Sequence, residues 1–200
     1  MKLYYAPTSP YARKVRIVIL ERHLADKIEL ILTNPFDSDL SLVSANPLSK
    51  VPALVCFDGE VIYDSPVICA YLDHLGRDPE MVPTHGAERW HVLTREALTD
   101  GIMDAAFSIT IEKRRPKVEQ SSNWIGRWRE SIDRGLAMVS TDLEKFGEKL
   151  TIAHIGLGCA LGYLDLRHPD IEWRKTHSNI GIWYSEFSQR PSMMKTHPDQ

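Results

Sequence analysis

Cysteine is scarce in this chain of 200 residues: Cys56, Cys69 and Cys159 are the whole supply, and no two are spaced as Cys-x-x-Cys. An odd number of thiols, each inside an apolar segment, argues against a disulfide framework. It points instead to buried free cysteines in a reducing cytoplasm. The eight histidines include no His-x-x-x-His or His-Glu-x-x-His pair, so no metal is expected. Long apolar runs are missing as well. The longest, such as residues 17–20, fall far short of the ~20 residues that cross a bilayer. Residues 1–7 lack the apolar core of a signal peptide. Charge of one sign is also lacking: a net charge of −3, with acids and bases interspersed, leaves no basic stripe for nucleic acid or an anionic membrane.

What is present is an ordinary globular composition, 43% hydrophobic and 26% charged, without an apolar-poor stretch that would read as disorder. Short β-like runs alternate with helical ones at first. Residues 2–5 read as a strand ended by Pro7. Residues 10–24 read as a helix, with Val15, Val18, Ile19 and Arg22 at three-to-four spacing. Residues 27–32 alternate as a half-buried strand does, and 41–45 read as a short helix. Residues 53–57 and 60–63 flank Asp58-Gly59, a strong hairpin signal, and 65–75 read as a helix ending at Gly76. Periodicity alone defines this as mixed α/β. The order βαβ, irregular stretch, ββα is that of a thioredoxin-like fold.

Residues 77–86, with Asp78-Pro79 and Val82-Pro83-Thr84, read as a linker. Beyond it the pattern is helical throughout: 87–113, 123–146, a helix from 151 that stops before His168-Pro169, and 179–189 closed by Arg190-Pro191. The expected architecture is an α/β thioredoxin-like N-terminal domain (1–76), a linker (77–86) and an all-α helical C-terminal domain (87–200).

Three segments carry candidate chemistry. In Thr8-Ser9-Pro10-Tyr11-Ala12-Arg13, Ser9 and Pro10 suit the N-cap and first position of a helix. The position, directly after the first strand of a thioredoxin-like unit, is where redox enzymes carry Cys-Pro-x-Cys. A serine there forms no mixed disulfide, but its hydroxyl can donate a hydrogen bond to another molecule's thiolate, aided by the positive helix end. The second segment is Asn46-Pro47-Leu48-Ser49-Lys50-Val51-Pro52-Ala53-Leu54-Val55. The third, Tyr63-Asp64-Ser65-Pro66, reads either as a capped helix start or as a site for an amino acid head group. In the second reading Asp64 meets an α-ammonium, and the Ser65 hydroxyl and amide meet an α-carboxylate.

In this order and spacing the three segments resemble the glutathione site of the glutathione S-transferase family, closest to its bacterial serine-type cytosolic members. Leu161-Gly162-Tyr163-Leu164-Asp165 and Arg190-Pro191-Ser192 extend the resemblance over almost the whole chain. It implies that Ser9 activates the glutathione sulfur and that Val51 pairs with the cysteinyl backbone beside a cis Val51-Pro52 bond. Asp64 and Ser65 would hold the γ-glutamyl group, with Lys50 near the glycine carboxylate. The implied function is conjugation of glutathione, as co-substrate, to a small electrophile by a detoxification-type homodimer in the cytoplasm, without a metal. The loop after the first strand and the first long helix would supply walls for the electrophile. Another glutathione-dependent enzyme (isomerase, dehalogenase or disulfide reductase) would keep the same site, as would a non-catalytic binding or regulatory relative. The reductase is disfavoured because Ser9 stands in place of Cys.

Three details lie outside that pattern. Gly156-Leu157-Gly158-Cys159-Ala160-Leu161-Gly162 approximates a dinucleotide fingerprint, but no strand precedes it, so close helix packing is expected. The series Ala97, Gly101, Ala105 suggests the same for the first long helix. The family opens the helix at Thr151 with Ser/Thr-x-x-Asp, and this chain has His154 in the last place. A carboxylate would accept from the cap amide and a protonated imidazole would not, so His154→Asp is expected to raise the melting temperature.

Overall fold

The computed structural model describes residues 1–37, 39–76 and 80–198. Two compact units form, one from Met1–Thr84 with Arg190–Gln200, the other from His85–Gln189. Of the expected linker, residues 77–79, including Asp78-Pro79, lie outside the described residues. The segment from Arg190 onward groups with the N-terminal unit, whereas the sequence pattern placed it with the helical domain.

The N-terminal unit runs β1 (Lys2–Tyr5), α1 (Pro10–Glu21), β2 (Glu29–Leu32), α2 (Leu40–Ala45), β3 (Ala53–Val55), β4 (Val61–Ile62) and α3 (Ser65–Leu75). The sheet order is β2-β1-β3-β4, with β1 and β2 parallel and the other pairs antiparallel. Side chains alternate between the two faces of a strand, so the pairing of Tyr4 with Ala53 and of Leu3 with Leu54 separates two cores. On one face Ala53 clusters with Leu42 and Ala45 of α2 and with Val51, and Tyr4 and Val55 pack against it. On the other, Leu3 and Leu54 are fully buried, where α1 and α3 pack together. β2 departs from expectation: Leu30 and Leu32 are exposed, because β2 is an edge strand with only β1 beside it. The helix expected over 10–24 ends at Glu21, and residues Ala25–Lys27 form a 3₁₀ turn.

α1 is buried on more than one side, and the reason is the C-terminal segment. Helix α9 (Pro191–Lys195), a helix the sequence pattern did not show, packs on α1. The buried Arg13 donates to the Met193 carbonyl at 3.0 Å and approaches Thr196 Oγ1 at 3.4 Å. At the other end of α1 the Glu21 carboxylate accepts from Arg190 Nε (3.2 Å), Arg190 Nη2 (2.9 Å) and Ser192 Oγ (2.5 Å). Burial alone would raise the Glu21 carboxyl, but the Arg190 and Ser192 hydrogen bonds and the Arg190 charge outweigh it and hold the carboxyl below its usual 4.5. A depressed carboxyl stabilises the fold above its unfolded value, and that contribution is lost as pH falls through the lower folded value. Glu21→Gln should therefore melt below wild type at neutral pH, with the gap closing below pH 4.5. Thermal unfolding across that range measures it, and a gap independent of pH would contradict the assignment.

The second unit contains α4 (Gly86–Glu112), α5 (Ser122–Asp142), α6 (Ile152–Arg167), α7 (Trp173–Thr176) and α8 (Ser178–Phe187). Helix α6 is its centre, buried along Ile152 to Leu164 and packed on α4. A Cβ at Gly156 would collide with the Thr99 side chain, so this glycine permits close approach of α6 to α4, as the packing reading of the glycine run expected. The Ala97–Gly101–Ala105 expectation is not met. Ala97 and Gly101 are exposed, and nothing lies within 4 Å of a Cβ placed at Gly101.

His154 corrects the capping argument. Its Nδ1 accepts the Thr151 N–H at 3.2 Å and faces Thr151 Oγ1 at 2.8 Å, while Nε2 lies 3.1 Å from the Gly147 carbonyl. A carbonyl only accepts, so the proton sits on Nε2 and the bare Nδ1 closes the capping box as a carboxylate would. The ring also meets Phe146 edge-on at 5.5 Å and is 5% exposed. His154→Asp would strand the Gly147 carbonyl, remove the ring contact and bury a charge. The melting temperature should fall, by about 1–3 kcal/mol of stability, rather than rise. Differential scanning calorimetry of the variant decides the sign.

Candidate functional site

The sheet topology gathers the three segments of interest at one end of the N-terminal unit. β1 pairs with β3 so that Tyr4 lies opposite Ala53, which sets the loop after β1 beside the start of β3. β4 pairs so that Ile62 lies opposite Leu54, and the chain leaves β4 toward that same end. Ser9, Val51-Pro52 and Asp64-Ser65 therefore occupy neighbouring loops at one edge. α1 and α3 both start there, so their partial positive ends share the region.

Ser9 is the N-cap of α1, and Pro10 follows as its first residue. The Ala12 N–H donates to Ser9 Oγ at 3.2 Å. The hydroxyl oxygen thus serves the helix as an acceptor, which leaves its own hydrogen to donate. The structural and chemical readings of Ser9 are compatible.

The loop before β3 is built around Asn46, 2% exposed. Its side-chain oxygen accepts from the Leu48 N–H at 3.0 Å, and its amide donates to the Lys50 carbonyl at 3.0 Å. Ser49 sits at φ 52°, in the left-handed region, with its N–H on the Asn46 carbonyl at 2.8 Å. The Val51–Pro52 bond is cis. The Val51 side chain is buried in the cluster with Leu42 and Ala53. Its backbone N–H and C=O have no partner among the described residues. Lys50 is exposed. Sequence reasoning did not give Asn46 a role. The Asn-Pro pair was its signal, since an asparagine side chain that bonds the backbone two residues on organises a tight turn.

At α3, Asp64 holds the cap position, but its side chain makes no capping bond. The carboxylate is exposed and makes no hydrogen bond or ion pair among the described residues, while the Asp64 carbonyl accepts the Ile68 N–H at 2.9 Å. Ser65 is 2% exposed and begins the helix, with Pro66 next. Of the two readings of Asp64, the capping one is not realised in the side chain. Among the described residues no cluster of three His, Cys, Asp or Glu is placed to hold a metal ion, and no helix is long and apolar enough to cross a membrane.

A four-stranded β2-β1-β3-β4 sheet with these helices is a thioredoxin-like domain, and the remainder is a helical domain. Residues 8–75 match the glutathione S-transferase N-terminal domain and residues 122–185 the glutathione S-transferase C-terminal domain. The GST-like protein YibF of Escherichia coli K12 is 34% identical over 201 residues, covering 99% of this chain and 98% of its own. A glutathione transferase family member of Pseudomonas fluorescens Pf-5, solved with bound glutathione, is 40% identical with a TM-score of 0.96 over 98% of both chains. A second structure from that organism, with S-(propanoic acid)-glutathione bound, is 40% identical with a TM-score of 0.91 over 99% of both chains. The chain belongs to the glutathione S-transferase family.

Proposed function

We propose that this protein binds glutathione at the edge formed by Ser9, Val51-Pro52 and Asp64-Ser65 and transfers it to a small electrophile. The observation that carries the reading is the convergence of three kinds of group that a γ-glutamyl tripeptide requires. An extended peptide needs a backbone donor and acceptor, and Val51 keeps both unpaired among the described residues. An amino acid head group needs an anion and a helix N-terminus, which Asp64 and Ser65 provide. A thiolate needs a hydrogen-bond donor, which Ser9 has after capping α1. Lys50 serves the glycine carboxylate.

In this mechanism Ser9 Oγ–H and the α1 N-terminus stabilise the sulfur as thiolate. Binding both reactants in one site adds proximity to nucleophile activation. The glutathione and S-(propanoic acid)-glutathione held by the Pseudomonas relative support both halves of the proposal. A disulfide reductase is disfavoured, since Ser9 offers no sulfur for a mixed disulfide. A homodimer in a reducing cytoplasm belongs to the same reading: Phe57 at the β3–β4 turn is 73% exposed, and no disulfide joins Cys56, Cys69 and Cys159.

Titration calorimetry with glutathione tests the binding half. Saturable binding that weakens in Asp64→Asn is expected. An absence of heat with wild-type protein would remove every glutathione-dependent reading, and conjugation assays with aromatic chlorides then test transfer.

A further inference from the structure

Both the backbone and the side chain of Asn46 are bonded within one short segment. Asn46 closes α2 by donating its N–H to the Leu42 carbonyl at 2.7 Å, and its own carbonyl accepts the Ser49 N–H at 2.8 Å. The side-chain oxygen accepts the Leu48 N–H at 3.0 Å. These three bonds are sufficient to end the helix and make the turn. The fourth, from the side-chain amide to the Lys50 carbonyl at 3.0 Å, reaches one residue beyond the turn, which does not require it.

That fourth bond acts on the next residue. The Lys50 carbonyl and the Val51 N–H belong to one planar peptide unit, and the bond between the two residues is trans. In a trans peptide the C=O and the N–H point in opposite directions. Holding the carbonyl on the Asn46 amide, in a residue only 2% exposed, therefore turns the Val51 N–H away from the loop interior. There it has no partner among the described residues. The Val51 side chain is anchored in the cluster with Leu42, Ala45 and Ala53, so the unit is held at both ends. A loop peptide without such a clamp can flip about its two soft flanking dihedrals, and a flip would put a carbonyl where the donor now stands.

We propose that Asn46 is a positioning residue for glutathione: by clamping the Lys50 carbonyl it fixes the direction of the Val51 N–H that donates to the cysteinyl carbonyl of the tripeptide. This rests on the function proposed above and adds to it the reason the donor is in place before the ligand arrives. The effect of Asn46 is on binding; the thiolate belongs to Ser9 and the start of α1.

Two variants separate the clamp from the turn. Asn46→Asp keeps an oxygen for the Leu48 N–H but sets a second oxygen against the Lys50 carbonyl, two acceptors with no hydrogen between them. Asn46→Ala removes both side-chain bonds. The test uses the full-length protein with glutathione as the probe, followed by calorimetry, steady-state kinetics with an aromatic chloride and amide NMR. In wild type the Val51 amide proton should exchange freely with solvent, then become shifted and protected when glutathione is added. Asn46→Asp should raise both Kd and KM for glutathione by about three- to tenfold, as expected for one backbone hydrogen bond. It should leave kcat at saturating glutathione and the pH titration of the bound thiolate unchanged. Its Val51 amide should lose most of the shift and protection. Asn46→Ala should lose affinity in the same way and also melt at a lower temperature.

An Asn46→Asp protein with wild-type Kd, KM and Val51 response would overturn the positioning role. So would a fall in kcat in step with the melting temperature, which marks general damage to the fold. Should neither variant fold, the wild-type amide decides: a Val51 N–H that is protected before glutathione is added, or unmoved as glutathione binds, overturns the role. Wild-type protein that binds no glutathione removes the proposed function, whereas wild-type binding with an unimpaired Asn46→Asp removes the role of Asn46 alone.

Discussion

Ser9→Ala should slow glutathione conjugation at neutral pH by about 10- to 100-fold while leaving glutathione binding largely intact. A hydrogen bond to a charged group contributes about 1.5–3 kcal/mol, and at 1.36 kcal/mol per unit this is about 1–2 units of thiol pKa. Without the hydroxyl the bound thiol ionises that much later, so the ultraviolet band of the thiolate should move to higher pH by the same amount. The variant has a second consequence, because Ser9 Oγ also accepts the Ala12 N–H. Loss of an N-cap costs about 1 kcal/mol, and in a chain of this size the melting temperature should drop by about 2–4 °C. Ser9→Thr keeps both the cap and the donor, and so should keep stability and most of the rate. A Ser9→Ala enzyme with wild-type rate and an unshifted thiolate titration would falsify the catalytic role and leave the capping role standing.

Asp73→Ala should be among the most destabilising single changes in the N-terminal unit. Asp73, near the end of α3, is 6% exposed and accepts the Met81 N–H at 2.9 and 3.0 Å and the Val82 N–H at 3.0 Å. Arg22, 3% exposed at the end of α1, donates Nη2 to the Asp73 carbonyl at 2.8 Å. Its Nε lies 3.2 Å from the Asp73 carboxylate, an ion pair without the alignment of a hydrogen bond. Gly76 makes room for this, since a Cβ there would strike the Arg22 side chain. Removing the carboxylate leaves a buried guanidinium without its counter-ion and two amides without an acceptor, which costs about 3–5 kcal/mol. At about 2–4 °C per kcal/mol, the melting temperature should fall by about 6–20 °C. The double variant Arg22→Met/Asp73→Leu should recover part of that loss, because replacing both partners by apolar groups removes the unpaired charge. An Asp73→Ala protein that melts with wild type would show that the buried pair contributes little.

These two residues differ in how far the sequence exposes them. Ser9-Pro10 after a short strand is a local signal, and so are Asp58-Gly59 between β-prone runs and the helical spacing of 65–75. Each depends on contacts within a few residues, and the structure has β1, α1, the hairpin and α3 close to the expected positions. Arg22 and Asp73 are 51 positions apart, and no local pattern marks them as partners. The same distance effect hid α9 and its 169-residue link from Arg190 to Glu21. His154 failed differently. Side-chain charge is visible in the sequence, but the cap depends on which ring nitrogen carries the proton, and the Gly147 carbonyl decides that.

The sequence by itself determined the α/β-then-α order, the family resemblance and the three segments that carry the candidate site, because periodicity, turn chemistry and capping act over short stretches of chain. The tertiary structure decided that Ser9, Val51 and Asp64 share one end of the sheet, since strand register alone sets which loops become neighbours. It also decided that the Asp64 carboxylate makes no capping bond and that the Arg22 guanidinium pairs with Asp73. Those outcomes depend on which distant groups satisfy each donor and acceptor after packing, and that is a property of the folded molecule.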